Sequence, residues 1–538
     1  MANSNKASTS GAKTFDTIVV GGGHNTLSAA GYMAKAGHSV LVLEKNPYVG
    51  GGVVTQQVTV PGFLHELHAT AVFLIKANPL LANDELGLYS RHGLEWVDVD
   101  GPYFSSVFED DAYLSTYFDL DKTCAQIARF SSRDADTYRE FTRKNGKLLN
   151  LIIRGMFTPP LGVGALLKLL ADNDDGRYLT RLMFSSAFDV IDRHFENAYV
   201  RCHLYKWISE NCVSPDEVGT GLLFLLLLGM GHVVRPGIFR GGNQRLSDSL
   251  RSAVEFYGGE VRTHAEVTKL NVSGGRISGV TLASGETFTA RKSVITGIPA
   301  WDLHKFIDGL DHSRLGDIDG FKPSGYTVFL THYALKEAPR YRVPDEVNRS
   351  FVTECMVDDI DRFRRSYDSF KYGEMPTLYS GHVVCSTHYD SSRAPDGMHT
   401  LYFYHYIPHI PAGRRLADWP AIKDEFADWM LDGLKRYAVN MDSSNILGRY
   451  VESPYEMQLQ SPSFRNGECF GGAMTPRQFM GERPTPELAQ YRVPGVDGLY
   501  LCGPAQHPGG GCVGGGRPVA MRIMMDQKMD LRTAFDAL

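Results

Sequence analysis

The run FDTIVVGGGHNT at residues 15–26, followed by SVLVLE at residues 39–44, decides the fold. Thr17 to Val20 are β-branched and read as a buried strand that runs straight into Gly21, Gly22 and Gly23. Leu27, Ala30 and Ala34 then recur at helical spacing until Gly37, and residues 39–44 form a second buried strand. The result is a βαβ unit of about thirty residues. In such a unit a GxGxxG turn brings backbone close to a pyrophosphate and aims helix N-terminal amides at it, while an acid about twenty residues on takes the ribose hydroxyls. Gly21, Gly23 and Glu44 fit that pattern, and Thr26 stands in the third glycine's place. Threonine there is expected to push the helix outward or shift its register. An acid at Glu44 favours free ribose hydroxyls, hence FAD or NAD over NADP. The second glycine run, Gly50 to Gly52 with the turn Pro61-Gly62 beyond it, favours the longer flavin dinucleotide.

Two further blocks share this signature. In the middle, the glycine loop at Gly241 feeds a helix that ends in the strand-like VRTHAEVTKLNV (261–272); turn signals at 273–276 and 283–286 then mark a three-stranded meander, closed by the strand KSVITG (292–297). Near the C-terminus, a strand at 499–502 enters a seven-glycine loop and then a helix. Long stretches between the blocks are richer in aromatics and helix-length apolar patterns. The expected fold is therefore α/β: a discontinuous Rossmann-like FAD-binding domain of the glutathione reductase type, with an inserted α+β substrate domain. The FAD-binding domain takes residues 15–100, 236–300 and 490–538, the substrate domain 101–235 and 301–489, and residues 1–14 form a flexible tail.

Composition narrows the function classes. Fifty-five of 538 residues are glycine, 43% are hydrophobic and 22% charged, with a net charge of −6. That balance excludes extended disorder and gives no basic excess for nucleic acid. The eight cysteines contain no CxxC pair and the 18 histidines no HExxH, so no metal is expected. The polar first fourteen residues show no targeting signal, and the apolar run at 222–228 is far short of the ~20 residues a spanning helix needs. A cytoplasmic protein is expected. The segment 147–171, apolar with interspersed Lys147, Arg154 and Lys168 and broken at Pro159-Pro160, reads either as an interfacial membrane contact or as two helices covering a substrate tunnel.

The motifs GGGHN (21–25), LEKNPYVGGGVVT (43–55), VPGF (60–63) and LYLCGPAQHPGGG (499–511) resemble the phytoene desaturase and carotenoid isomerase branch of the FAD-dependent amine oxidase superfamily. The likeness extends to flavoproteins of the pyridine nucleotide-disulphide oxidoreductase domain type. It implies noncovalent FAD, with Gly21, Gly23, His24 and Asn25 at the pyrophosphate and Glu44 and Lys45 toward the adenosine ribose. Gly50, Gly51 and Gly52 would pass beside the flavin chain, and Val267 would meet the adenine. Gly503, Gly510, Gly511, Cys512 and Val513 would line the ribityl and isoalloxazine. Gly52 departs from the pattern, since many amine oxidases carry arginine there.

The resemblance also implies hydride transfer between flavin N5 and a hydrophobic, unsaturated or alicyclic small molecule, by dehydrogenation or isomerisation. An electron acceptor such as oxygen or quinone would complete the cycle, and a homo-oligomer is compatible with the sequence. His507, His232 and Arg235 are the candidate catalytic residues. The cluster His65, Glu66 and His68 and the alternating stripe Tyr402 to Tyr406 are further candidates for the substrate face, with structural packing as their competing role. The rival readings are a flavin amine oxidase and a non-catalytic flavin-binding interaction protein.

Overall fold

The computed structural model describes residues 13–70, 72–511 and 514–535. Two seven-stranded sheets organise it. In the first, the strand Lys13–Val20 sits centrally, parallel to Val40–Leu43 on one side and to Thr287–Thr296 on the other. Glu260–Arg262 extends the sheet beyond Val40–Leu43, again in parallel. Ile18, Val19, Leu41 and Val42 are fully buried, as expected of strands covered on both faces. The strand Thr287–Thr296 divides the opposite edge: its first half pairs antiparallel with Arg276–Leu282, and Val294 to Thr296 pair in parallel with Leu499–Leu501.

Two sequence expectations shift here. The stretch 261–272 is two elements, because the chain leaves the parallel sheet at Arg262 and re-enters at Val267 as the outer meander strand Val267–Ser273. The segment 292–297 is the far end of the long strand Thr287–Thr296 and no separate strand. The expected tail is also shorter: Lys13 and Thr14 pair with Phe288 and Thr289, and the remainder of that segment lies outside the described residues.

The second sheet runs in the order Ile446–Glu452, Thr327–Leu335, His399–Ile407, His382–Val384, Val352–Met356, Phe104–Phe108, Tyr113–Thr116. Its pairings are antiparallel except between Val352–Met356 and Phe104–Phe108. Helices including Ser132–Met156, Ala198–Ser209 and Thr220–Val233 pack beside it in one extended apolar core. The segment 147–171 is two helices, Ser132–Met156 ending and Val163–Ala171 beginning either side of Pro159-Pro160. No helix among the described residues is long and apolar enough to cross a membrane.

Candidate active site

The end of the strand Lys13–Val20 is where the cavity begins. Gly21 has φ +90°, a left-handed conformation that lets the chain turn directly into the helix His24–Lys35. That helix starts at Gly23 with no side chain capping it, so its first amides are free for an anion. Thr26, the residue in the third glycine's place, is bonded into the turn. Its hydroxyl lies 2.6 Å from the Gly21 carbonyl and 2.9 Å from that of Gly23, so the side chain ties the turn together. Glu44, buried at the end of Val40–Leu43, accepts from the Gly22 amide at 2.6 Å and the Asn46 amide at 2.8 Å. The acid thus holds the glycine turn and keeps lone pairs for a ribose.

The second glycine turn docks on the first. The Gly50 amide donates to the Gly22 carbonyl at 2.7 Å, and Gly50 takes φ +133°. The helix Gln244–Phe256 clamps the turn from behind through Gln244 on the Val49 carbonyl and Ser247 on the Val53 carbonyl. Gly52 has a reason to lack a side chain: a Cβ there would stand 2.5 Å from the Phe464 ring. The C-terminal loop completes the cradle, with the Gly515 amide donating 2.7 Å to Asn25 Oδ1 and the helix Gly516–Asp526 starting beside it.

These turns surround a cavity of about 360 Å³. It is lined by Gly21, Gly23, His24, Asn25, Glu44 and Lys45, then by Gly50, Gly51, Gly52, Val267, Gly503 and Gly511. Gly510 packs against the Phe470 backbone outside the lining, and Cys512 and Val513 lie outside the described residues. Burial pushes the His24 imidazole down to about 4, so it stands neutral, and its Nε2 is buried with no protein partner. A buried neutral imidazole with an unpartnered nitrogen, uncapped helix amides and a cradle of glycines make a site that fits FAD.

The three residues expected to act on substrate are engaged elsewhere. His507 is buried outside the lining, with Nε2 on the Gly155 carbonyl at 3.0 Å, so it ties the C-terminal loop to the helix Ser132–Met156. His232 lies between the Tyr138 hydroxyl at 2.8 Å and the Phe118 carbonyl at 3.0 Å. Arg235 is half exposed, its guanidinium over the Phe118 ring and 3.7 Å from Asp98. The expectations put these side chains toward the substrate, and none of the three lines the cavity. They rested on order along the chain, which does not report which way a loop side chain turns.

The cavity instead receives His68. Its Nε2 lies 3.1 Å from Glu452 Oε1, which Gln460 also contacts at 2.9 Å, and its Nδ1 is buried without a partner. Its neighbours in the cluster are structural: His65 meets Thr59, and Glu66 pairs with Arg393 and accepts from Thr55 and the Asn243 amide. Phe464, Cys469 and Phe470 form an apolar wall beside His68, and the Tyr402 hydroxyl donates to the His68 carbonyl at 2.7 Å. Sequence reading missed Glu452, Gln460 and this wall, since none sits near a glycine signal.

Behind Tyr402 lies a buried ionic cluster. The Tyr404 and Tyr406 hydroxyls donate to Glu210, and His382 Nδ1 contacts both Glu354 and Glu210. Lys206, with no exposed side-chain surface, has Nζ 3.3 Å from Glu354 and 3.9 Å from the centre of the Tyr406 ring. Burial acts to lower the His382 pKa, but the Glu210 and Glu354 carboxylates outweigh it and push it up to about 9.

Two dinucleotide-type glycine turns, a buried acid at the end of the second strand and a closing C-terminal glycine loop define a flavin-dependent oxidoreductase. The chain belongs to the family described as flavin containing amine oxidoreductase, whose model matches residues 27–524, and its cofactor is FAD. It is 25% identical over 541 residues to a limonene dehydrogenase subunit of Castellaniella defragrans, covering 96% of each chain. It is 26% identical to the pyridine nucleotide-disulfide oxidoreductase domain-containing protein 2 of Rattus norvegicus, covering 96% of this chain and 94% of that one. Among solved structures, an oxidoreductase from Methanosarcina mazei shares the fold with a TM-score of 0.60 at 16% identity, over 95% of this chain and 99% of that one.

Proposed function

We propose that the protein removes hydrogen across a carbon–carbon bond of a hydrophobic, unsaturated or alicyclic small molecule, or shifts such a bond by the same steps. The observation that carries this reading is His68, held from behind by Glu452 and lining the cavity beside the apolar wall of Phe464, Cys469 and Phe470. FAD, when bound, supplies a two-electron acceptor for hydride. Losing a hydride from one carbon requires the neighbouring carbon to lose a proton, and His68 Nδ1 is the unpartnered nitrogen in place to take it. Glu452 fixes the ring and stabilises the imidazolium that forms. Phe464 and Phe470 keep the site dry and hold the substrate by area. Similarity to the limonene dehydrogenase chain, named for a cyclic alkene, supports this substrate class.

In the same reading Gly21, Gly23 and the His24 and Asn25 amides hold the pyrophosphate, Glu44 the ribose, and Gly503 and Gly511 the flavin end. The exposed Leu151, Leu161, Leu169 and Phe184 give substrate a route from a lipid surface, and oxygen or a quinone reoxidises the cofactor.

Anaerobic mixing of the yellow protein with cyclic alkenes, polyenes, ketones and amines tests the reading. Bleaching by an alkene or polyene supports it; bleaching by amines alone moves the chain to amine oxidation, and no bleaching by any class makes the flavin structural. His68→Gln should lower the bleaching rate by ~10²–10⁴ with flavin content retained, and an unchanged rate removes His68 from the chemistry. Glu44→Ala should weaken FAD affinity by about 10–100-fold, the loss of ~1.5–3 kcal/mol expected for a charged hydrogen bond; unchanged flavin content sinks that assignment.

A further inference from the structure

Away from the flavin cavity, the connection between the strands His382–Val384 and His399–Ile407 gathers three side chains with no part in the reaction above. Cys385 follows the first strand and precedes the short 3₁₀ turn Ser386–His388. In such a turn side chains three apart eclipse one another, which sets Cys385 and His388 on one side. His399 opens the second strand and faces them. One ligand atom from each of the three lies within 4.8 Å of the other two.

The distances suit a metal ion. Cys385 Sγ stands 3.9 Å from His399 Nδ1. A tetrahedral zinc with bonds of ~2.3 Å to sulfur and ~2.0–2.1 Å to nitrogen separates such a pair by about 3.6 Å. The Thr387 hydroxyl now bridges them, 2.9 Å from His399 Nδ1 and 3.4 Å from the thiol, and a rotation about one bond removes it. The connection is also held in place: Arg393, five residues beyond His388, pairs with the buried Asp390 and Glu66. Cys385 is buried, whereas His388 and His399 are partly exposed, which leaves an entry path.

We propose that Cys385, His388 and His399 bind one zinc-class divalent ion, with the fourth coordination position open to solvent. One thiolate and two imidazoles select zinc or a similar borderline ion over the hard oxygen-seeking cations. Binding exchanges the thiol proton for the metal, so one proton is released per ion and affinity rises with pH. The other carboxylate–histidine group, Glu210, Glu354 and His382, does not compete, because Lys206 already supplies its cation. An ion at Cys385 would stiffen the link between the strand that carries His382 and the one that carries Tyr402, independently of which substrate the flavin site takes.

The test uses FAD-loaded, chelator-treated protein. Titration with zinc chloride against a chromophoric chelator should give one ion per chain, and Co²⁺ should develop tetrahedral d–d bands at wavelengths beyond the oxidised flavin. Cys385→Ser and His399→Gln should each weaken zinc at least tenfold, while Thr387→Val, which removes only the bridging hydroxyl, keeps it. Absence of a stoichiometric ion, or undiminished binding in the Cys385→Ser, His399→Gln double variant, overturns the proposal. Should those variants lose flavin, the wild type decides: one equivalent of zinc must slow alkylation of Cys385, followed by peptide mass, and an unchanged rate overturns the site.

Discussion

The cofactor cradle and the ionic cluster behind Tyr402 solve opposite problems. Around the cavity, backbone does the work: amides and carbonyls of Gly21, Gly22, Gly23 and Gly50 approach one another because no side chain intervenes. In the second sheet, long side chains from separate elements do it, with Lys206 and Glu210 at the helix Ala198–Ser209, Glu354 and His382 on neighbouring strands and Tyr404 on a third. At Gly22, Gly50 and Gly52 the cradle leaves no room for an added atom, whereas the cluster tolerates no lost charge. That contrast makes the two regions fail in different ways.

The largest effect is expected where an atom is added to the cradle. Alanine at Gly50 would take φ +133° and put Cβ 2.5 Å from the Val53 carbonyl oxygen and 2.9 Å from Ser247 Oγ. Backbone strain of about 1–3 kcal/mol and overpacking of about 1–3 kcal/mol together cost up to ~6 kcal/mol. Gly50→Ala should therefore emerge without flavin and unfold earlier in denaturant. A yellow, equally stable variant would show that the second glycine turn is not a tight element of the cradle.

Next comes the removal of a charge from the cluster. Glu354→Ala leaves Lys206 and His382 buried with Glu210 as their remaining carboxylate, and breaking a buried pair in this way costs about 3–5 kcal/mol. Urea unfolding monitored by far-UV circular dichroism measures it. The expected pattern is lowered stability in a variant that still binds flavin, because no cluster residue lines the cavity. Flavin loss at unchanged stability would mean that the two regions are one site.

The same contrast explains what was legible in the sequence. The cradle is written locally: strand, glycines, helix and acid lie within residues 15–44, and each glycine marks a place where backbone comes close. Even the misfit at Thr26 was visible, although its hydroxyl bonds were not, since a threonine that supports a turn and one that distorts it have the same neighbours in sequence. The cluster has no local signature. Glu210 and Glu354 are 144 residues apart in the numbering, and only strand order brings His382 between them. For the same reason the cluster at His65 to His68 did not show which member meets the cavity, because the partner that matters to His68, Glu452, is 384 residues away along the chain.

The smallest expected effect is a slope in pH. His382 titrates near 6.5 when unfolded and at about 9 when folded, raised by Glu210 and Glu354 against the opposing effect of burial. A raised folded pKa stabilises the native state fully below the unfolded value, and that stability is lost as pH rises toward 9. Between pH 7 and 8 the folded imidazole holds a proton that the unfolded one has largely released, so the contribution of His382 to the unfolding free energy should fall by about 1.2 kcal/mol. Each buried imidazole pushed down to about 4, such as His24, His65 and His405, gives a smaller slope of opposite sign, because its unfolded form still holds about a quarter of a proton at pH 7. The thiols that burial raises, such as Cys202, begin to ionise in the unfolded chain near pH 8 and add a small slope that is common to wild type and variant. Subtracting the profile of His382→Gln from that of the wild type isolates the effect. Parallel profiles between pH 7 and 8 would mean that His382 is neutral in the fold and that Lys206 alone balances the two carboxylates.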